Sequence, residues 1–346
     1  MRGAISWLSS SPVRSSTISL PVRKAALFYN PFSGRRRKHR LTDVKAVVAV
    51  LSAAGVEVQH APTHSSAGAA GQVRQAVAEG CDTIVAAGGD GTIHDLLQGL
   101  AGSNAALAVI PLGTANSLAH DLGLPLSPIQ AARAALQAEP RRFAAGRVRY
   151  VDLDGSPGSR YFTVAAGIGV DAQLFYQLNP LLKRNAGMTA YYAEAWKLWM
   201  SHKMQPFVAE CHETSNGTAK SAVLTELLAV RIRNFGNVLR ELAPGAALHR
   251  NDLRVIMCTT DSRSRYLLYV LRGLLGQRRK VDGIDLLHSE KISCTSLPAP
   301  GAGTNGVPKV FVEADGEILG TLPAEITMVP DAFTLLVPSK SPKTKR

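Results

Sequence analysis

Residues 83–100 read TIVAAGGDGTIHDLLQGL, and this stretch decides how the chain is organised. The unbroken apolar run from Thr83 to Ala87 has the length of a strand covered on both faces. It empties into Gly88-Gly89-Asp90-Gly91-Thr92, and from Thr92 to Leu100 apolar residues recur at helical spacing. A glycine loop between strand and helix leaves backbone N–H groups at the positive end of a helix dipole, where phosphate is favoured. Asp90 cannot bind phosphate directly, but it can hold a Mg²⁺ or a water that bridges to one. An ordinary glycine turn with an Asp cap would use the same letters.

Moving outward, the same unit repeats. Upstream come a strand at Ala25–Tyr29, a helical pattern through Val44–Leu51, a strand at Val56–His60 and a helix at Ala67–Ala78; downstream, Leu107–Pro111 is followed by a loop and a short helix. Strands alternating with helices predict a parallel sheet with helices on both faces and ligand sites at the carboxyl ends of its strands. Two more loops fall at such ends, Asn30-Pro31-Phe32-Ser33-Gly34 and Pro111-Leu112-Gly113-Thr114-Ala115-Asn116. Three loops on one sheet would converge on one crevice. Ser33, Thr92 and Thr114 hydroxyls and backbone amides there suit a triphosphate.

After about Pro140 the texture becomes β-type: Arg147–Leu153, Arg160–Ala166, Glu226–Ile232, Leu253–Thr259, Lys291–Thr295, Lys309–Ala314 and Phe333–Val337. Helical insertions are expected at Leu178–Met204, with Tyr191, Tyr192, Trp196 and Trp199, and at Arg263–Leu275. The expected plan is an extension over 1–23, an α/β nucleotide-binding unit over 24–140, an antiparallel β-rich unit over 141–338 and a tail over 339–346. The ligand would lie in the cleft between the two units.

Lys and Arg total 39 against 26 Asp and Glu, a formal charge of +13, so the surface should attract polyanions. With 6% aromatics and no basic stretch interleaved with stacking rings, nucleic acid ranks below nucleotide and anionic membrane. The four cysteines, Cys81, Cys211, Cys258 and Cys294, show no metal-ligand spacing and suit a reducing, cytoplasmic setting. No run approaches the roughly 18 apolar residues of a membrane span, so membrane contact is expected to be peripheral.

The combination NPFSG, GGDGTIHDLLQGL and PLGTANSLAHDLGLP resembles the diacylglycerol kinase catalytic-domain family, which includes bacterial lipid kinases and sphingosine kinases. GGDGT alone is shared with NAD kinases and phosphofructokinases; the third segment narrows the choice. The resemblance implies an ATP- and Mg²⁺-dependent kinase acting on a lipid hydroxyl, with diacylglycerol favoured. It implies ATP contacts from Asn30, Ser33, Gly34, Thr63, Gly88, Gly89, Asp90, Gly91, Thr92, Gly113, Thr114 and Asn116. Asp90 would support the metal, with Asp152 as a further acidic group. The basic run Arg35–Arg40 would lie near phosphate or membrane. The late segment FVEADGE implies that Asp315 is the base, with Glu317 as neighbour or substitute; phosphoryl transfer needs such a carboxylate to orient the attacking hydroxyl. Asp315-Gly316 is also the signature of a tight hairpin turn. Gly167–Ala172 matches a further family segment.

The chain departs from the family where a structural Mg²⁺ site usually has Asp-Gly and Arg250-Asn251 stands instead, since an Arg cannot ligate a cation. Asp252 could substitute if the loop shifts by two residues, but the simpler inference is that this metal site is absent and the arginine supplies the positive charge itself. Ser117 also replaces an acidic residue of the third loop. Two other readings stay open: a NAD or other small-molecule kinase, and a non-catalytic nucleotide- or lipid-binding protein. Membrane docking through Trp196 and Trp199 and a homodimer joined along strand edges complete the expectations.

Overall fold

The computed structural model describes residues 22–31, 39–169, 172, 204–214, 217–234, 242–277, 280–298 and 309–339. Four parallel strands, β1 (Lys24–Tyr29), β2 (Glu57–Pro62), β3 (Thr83–Gly88) and β4 (Ala106–Pro111), lie in the order β2-β1-β3-β4. Between and after them come α1 (Arg40–Ala53), α2 (Ser66–Ala78), α3 (Asp90–Leu100), α4 (Ser117–Asp121) and α5 (Pro128–Leu136). Every residue of β3 and β4 is buried, as expected of inner strands covered on both sides.

The helices sort by their apolar spacing. Val44, Val47 and Leu51 of α1 join Ala131, Ala132 and Ala135 of α5 on one face of the sheet. On the other face α2 and α3 pack closely enough that a methyl on Gly99 would stand 2.3 Å from the Ala70 carbonyl oxygen. Helix starts follow local chemistry. The Ser65 hydroxyl accepts from the Gly68 amide at 3.1 Å before α2, and α5 opens with Pro128.

The remaining strands are β5 (Glu139–Asp152), β6 (Pro157–Phe162), β7 (Ala165–Gly169), β8 (Phe207–Glu213), β9 (Ala219–Leu224), β10 (Glu226–Val230), β11 (Leu253–Cys258), β12 (Ile284–Ser296), β13 (Phe311–Ala314) and β14 (Glu317–Val337), with α6 at Arg263–Leu274. They pair antiparallel around a second apolar core that includes Phe162, Phe207, Leu227, Met257 and Ile326. The expected division at residue 140 is crossed by one strand. β14 runs beside β5 for nearly its full length, pairs with β12 and β13 in the second half, then joins β4 in parallel through Thr334–Ala106 and Leu335–Leu107. All fourteen strands therefore belong to a single sheet.

Two further differences have local causes. The single strand expected at Arg160–Ala166 is broken into β6 and β7, because the amides of Thr163, Val164 and Ala165 turn toward a carboxylate. β8, β9 and α5 carry weaker signals, being short, alanine-containing and, for β9, largely exposed. All four cysteines are buried, and none is in a disulfide. Among the described residues, no helix is long and apolar enough to cross a membrane.

Candidate active site

The three glycine loops follow β1, β3 and β4, which are neighbours in the sheet. Asn30 ends β1, and Thr63, just past β2, donates its amide to the Tyr29 carbonyl at 2.9 Å. Gly89 precedes α3 in extended backbone, and no side chain caps that helix. The second and third loops touch backbone to backbone, so that a methyl on Gly113 would stand 2.4 Å from the Gly89 Cα. Only glycine fits on both sides of that contact. Thr114 is exposed at the tip of its loop, whereas Asn116 folds inward in left-handed conformation (φ 49°). Its Oδ1 accepts from the Gly113 amide at 2.8 Å, and its Nδ2 donates to the Gly113 carbonyl at 3.1 Å. Asn116 thus closes the loop on itself. Ser33 and Gly34 lie outside the described residues, as do Asp171, Trp196 and Trp199.

Asp90 joins the two glycine loops. Its carboxylate accepts from the amides of Ser117 at 3.1 Å and Leu118 at 3.3 Å, capping α4 from a neighbouring loop. Burial pushes the Asp90 carboxyl above the ordinary carboxylate range, against the lowering effect of those amides. Arg40 ends the basic run, whose residues 35–38 lie outside the described residues. It is 2% exposed and donates to the Leu112 carbonyl at 2.9 Å, fastening the start of α1 to the third loop.

The late motif arrives from the other half of the molecule. Ala314 pairs with Glu317 across a two-residue turn in which Asp315 (φ 51°) and Gly316 (φ 83°) are both left-handed, the geometry of a type I′ hairpin. The turn and the motif are one object. Asp315 Oδ1 accepts from the amides of Val164 at 2.8 Å and Ala165 at 3.1 Å, and Oδ2 from that of Thr163 at 3.0 Å. The Thr163 hydroxyl and His94 Nδ1 each stand 3.4 Å from Oδ2, too far for strong bonds. The Asp315 side chain is 1% exposed and that of His94 3%. Glu317, by contrast, is exposed, and its Oε1 lies over the glycine loop, 3.1 Å from where a Cβ on Gly91 would be.

Helix α3 makes the junction rigid. Gln98 donates to the Tyr161 carbonyl and accepts from the Tyr161 amide, both at 2.9 Å, while His94 one turn earlier meets Asp315. His94 was not singled out from the sequence, although it sits within the glycine-loop motif; its inward face becomes apparent only once α3 is known to be buried on several sides. Arg231 was also missed. It is 1% exposed, donates through Nη2 to the Leu248 carbonyl at 2.8 Å, and has no partner for Nε among the described residues. Burial pushes the guanidinium down to about 10, with the Asp315 and Asp252 charges acting the other way. It remains a cation at neutral pH.

Asp152, the second acidic residue expected at the metal, stands on a different element from Asp90. Asp152 lies at the turn between β5 and β6, its carboxylate accepting from the Leu153 amide at 2.6 Å. Among the described residues, no three carboxylate, imidazole or thiol groups converge as a metal cage. At the departure from the family pattern, Arg250 reaches Asp252 with both arms of its fork, Nε to Oδ1 and Nη2 to Oδ2, each at 2.6 Å. His288 Nδ1 stands 3.4 Å from the same carboxylate. Burial pushes the Asp252 carboxyl up, but the hydrogen bonds and charge of Arg250, with a contribution from His288, outweigh it, and the net displacement is downward. A guanidinium holds the place where a substitute cation would need Asp252.

Residues 24–148 match the diacylglycerol kinase catalytic domain. A diacylglycerol kinase of Bacillus subtilis is 27% identical over 309 residues, 88% of this chain and 93% of that protein. One of Mycobacterium tuberculosis is 27% identical over 318 residues, 92% of this chain and 96% of that protein. The fold superposes on that of a diacylglycerol kinase from Bacillus anthracis with a TM-score of 0.64 at 17% identity, covering 93% of this chain and 99% of the other. Taken with the glycine loops and the late hairpin, these matches show that residues 24–148 resemble the diacylglycerol kinase catalytic domain and that most of the chain is similar to bacterial diacylglycerol kinases.

Proposed function

We propose that the protein transfers the γ-phosphate of ATP, with Mg²⁺, to the hydroxyl of a lipid, diacylglycerol or a close relative. The observation that carries this reading is the meeting of the Asp315 hairpin with α3, which begins in the glycine loop and brings His94 to 3.4 Å from the carboxylate. A nucleotide-binding element and a candidate base thus share one helix.

The residues present fit a bound triphosphate. Among the described residues no side chain caps the α3 N-terminus and the Thr92 hydroxyl is buried without a partner, while Gly89 and Gly113 hold the two loops in backbone contact. Asn30, Thr63 and Thr114 stand at the ends of the neighbouring strands with further polar groups. When bound, ATP supplies the phosphoryl group, and Mg²⁺ neutralises charge on it. Glu317, over Gly91, is the accessible carboxylate from which a cation could be held, and Asp90 keeps the two loops at a fixed separation.

For the acceptor, Asp315 Oδ2 has one firm amide donor and two long contacts, so a lone pair is left for a hydroxyl proton. As the acceptor oxygen bonds to phosphorus and the bond to the ADP oxygen breaks, that proton passes to the carboxylate. Burial of Asp315 before the acceptor binds is no obstacle, because catalytic hydrogen bonds often tighten only in the complex. The lipid acceptor is supported by the relatives' printed activity and by the apolar second half of the chain.

The test is transfer of labelled γ-phosphate into diacylglycerol by the wild type, Asp315→Asn and Glu317→Gln. Near-complete loss in Asp315→Asn with ATP binding retained supports the assignment. Full activity in that variant with loss in Glu317→Gln would move the base to Glu317. A wild type that binds ATP and labels no lipid would end the kinase reading.

A further inference from the structure

Glu313, near the end of β13, carries a charged side chain and is 3% exposed. Its backbone pairs with Gly167 of β7 on one side and with Ile318 of β14 on the other. The side chain folds along the hairpin. Oε2 accepts from the Gly316 amide at 2.9 Å, and Oε1 lies over Gly167, 2.7 Å from where a Cβ on that residue would be. The three atoms nearest to that position all belong to Glu313. Gly167 is not in left-handed conformation, so its backbone alone would accept any residue. Glycine inside a strand weakens it, and here the missing side chain makes room for a carboxylate.

The turn that this carboxylate closes is the one that presents Asp315. A two-residue turn closed by Ala314 and Glu317 leaves the amides of Asp315 and Gly316 outside the strand ladder. Asp315 donates its amide to the Ala165 carbonyl at 2.8 Å, and Gly316, exposed to solvent, donates to Glu313. Both turn amides are thereby taken up, one by the first residue of β7 and one by a side chain that rests on β7. Asp315 is held at φ 51°, unfavourable for a residue with a side chain, so the turn persists only where its surroundings over-determine it. Tilting the hairpin would carry the Asp315 carboxylate off the Thr163, Val164 and Ala165 amides.

We infer that Glu313 is a positioning residue for phosphoryl transfer: it fixes the Asp315 hairpin on β7 through the Gly316 amide, with Gly167 as the socket that receives its carboxyl group. The inference rests on the assignment of Asp315 as base made above. Glu313 acts through Asp315 and not on the acceptor. A displacement of about 1 Å in a reacting group can cost about a hundredfold in rate, so a loosened turn is read in kcat. ATP affinity is set by the loops after β1, β3 and β4 and stays as it is. A glutamate that served the core alone would give another pattern: its loss would lower Tm and leave the kcat of the folded molecules unchanged.

The experiment compares the full chain with Glu313→Ala, Glu313→Gln, Gly167→Ala and Glu313→Ala/Gly167→Ala, each assayed below its Tm. Phosphate transfer from ATP to diacylglycerol gives kcat and KM, and 15N-glycine labelling gives the exchange rate of the Gly316 amide. Glu313→Ala should lower kcat about tenfold or more while KM for ATP stays within a factor of about two. Glu313→Gln keeps an acceptor for the amide and should stay within about threefold of wild type. Gly167→Ala should lower kcat when Glu313 is present and change little once residue 313 is alanine, because the two substitutions disturb one contact. The Gly316 amide should exchange slowly in wild type and Glu313→Gln, and about tenfold or more faster in Glu313→Ala. An unchanged kcat in Glu313→Ala, a glutamine variant no better than alanine, or independent effects of the two substitutions overturns the inference. A wild type that transfers phosphate with no exchange difference at Gly316 removes this inference alone. A wild type that transfers none yet shows the exchange difference removes the kinase reading and leaves Glu313 as the holder of the turn.

Discussion

Asp90 caps a helix to which it does not belong: its carboxylate accepts from Ser117 at the start of α4, twenty-seven residues along the chain. The bond makes the second and third glycine loops one unit, so a ligand held by one is held at a fixed distance from the other. In Asp90→Ala the amides of Ser117 and Leu118 lose their acceptor, and a loss of about 1–3 kcal/mol in stability is expected. Turnover should fall further than this alone explains. Thermal unfolding beside steady-state kinetics of the same preparation separates the two effects.

The contact of Gly89 with Gly113 makes a sharper prediction. Gly113→Ala puts a methyl 2.4 Å from backbone, with nothing flexible to move aside, and should cut nucleotide affinity at least tenfold. Gly71→Ala is the contrast: inside α2, with open space around its Cβ position, it should stabilise the protein by about 0.5–1 kcal/mol and leave nucleotide binding unchanged. Titration calorimetry with ATP reads one effect and Tm the other.

His94 is expected to matter to the rate more than to binding. With His94→Ala the Asp315 carboxylate loses the imidazole that stands 3.4 Å from Oδ2, so kcat should fall about tenfold, equivalent to about 1.4 kcal/mol of transition-state stabilisation, while KM for ATP stays within a factor of about two. An equal loss in both parameters would place His94 in the nucleotide site instead.

At Arg250 the sign of the pH dependence can be worked out. The Asp252 carboxyl is displaced downward, so its ionised form contributes stability above the ordinary carboxylate pKa, and that contribution is lost as pH falls through the lowered value. Arg250→Gln removes the fork and leaves burial to push the carboxyl up. The variant should therefore be least stable relative to wild type near neutral pH, and the Tm difference should shrink as pH falls through the lowered wild-type value, below which Asp252 is protonated in both. A difference independent of pH would mean that the arginine acts by packing.

Much of the nucleotide half was legible because its signals are local. Apolar runs ending in glycine loops located β1 to β4 within a residue or two, and the strand ends converge as a parallel sheet requires. Asp315-Gly316 offered a hairpin or a site, and the fold makes them the same turn. What stayed hidden depends on long-range partners. Asn116 could pass for a ligand residue until its side chain was seen closing on Gly113; Arg40, at the end of a basic run, until its guanidinium was found on the Leu112 carbonyl. His94 and Arg231 have no signature at all, since their placement beside Asp315 comes from strands and helices far apart in the chain.

The reach of β14 across both halves has a consequence for the order in which the molecule can be completed. β4 lies next to the C-terminal part of β14, whose Thr334 and Leu335 pair with Ala106 and Leu107. During synthesis the first four strands leave the ribosome early, yet the outer side of β4 stays an open sheet edge until residues 333–337 have been made. Such an edge is a template for any passing strand. The half that is begun first is thus finished last, and a nascent or truncated chain lacking those few residues would be the form most in need of a chaperone.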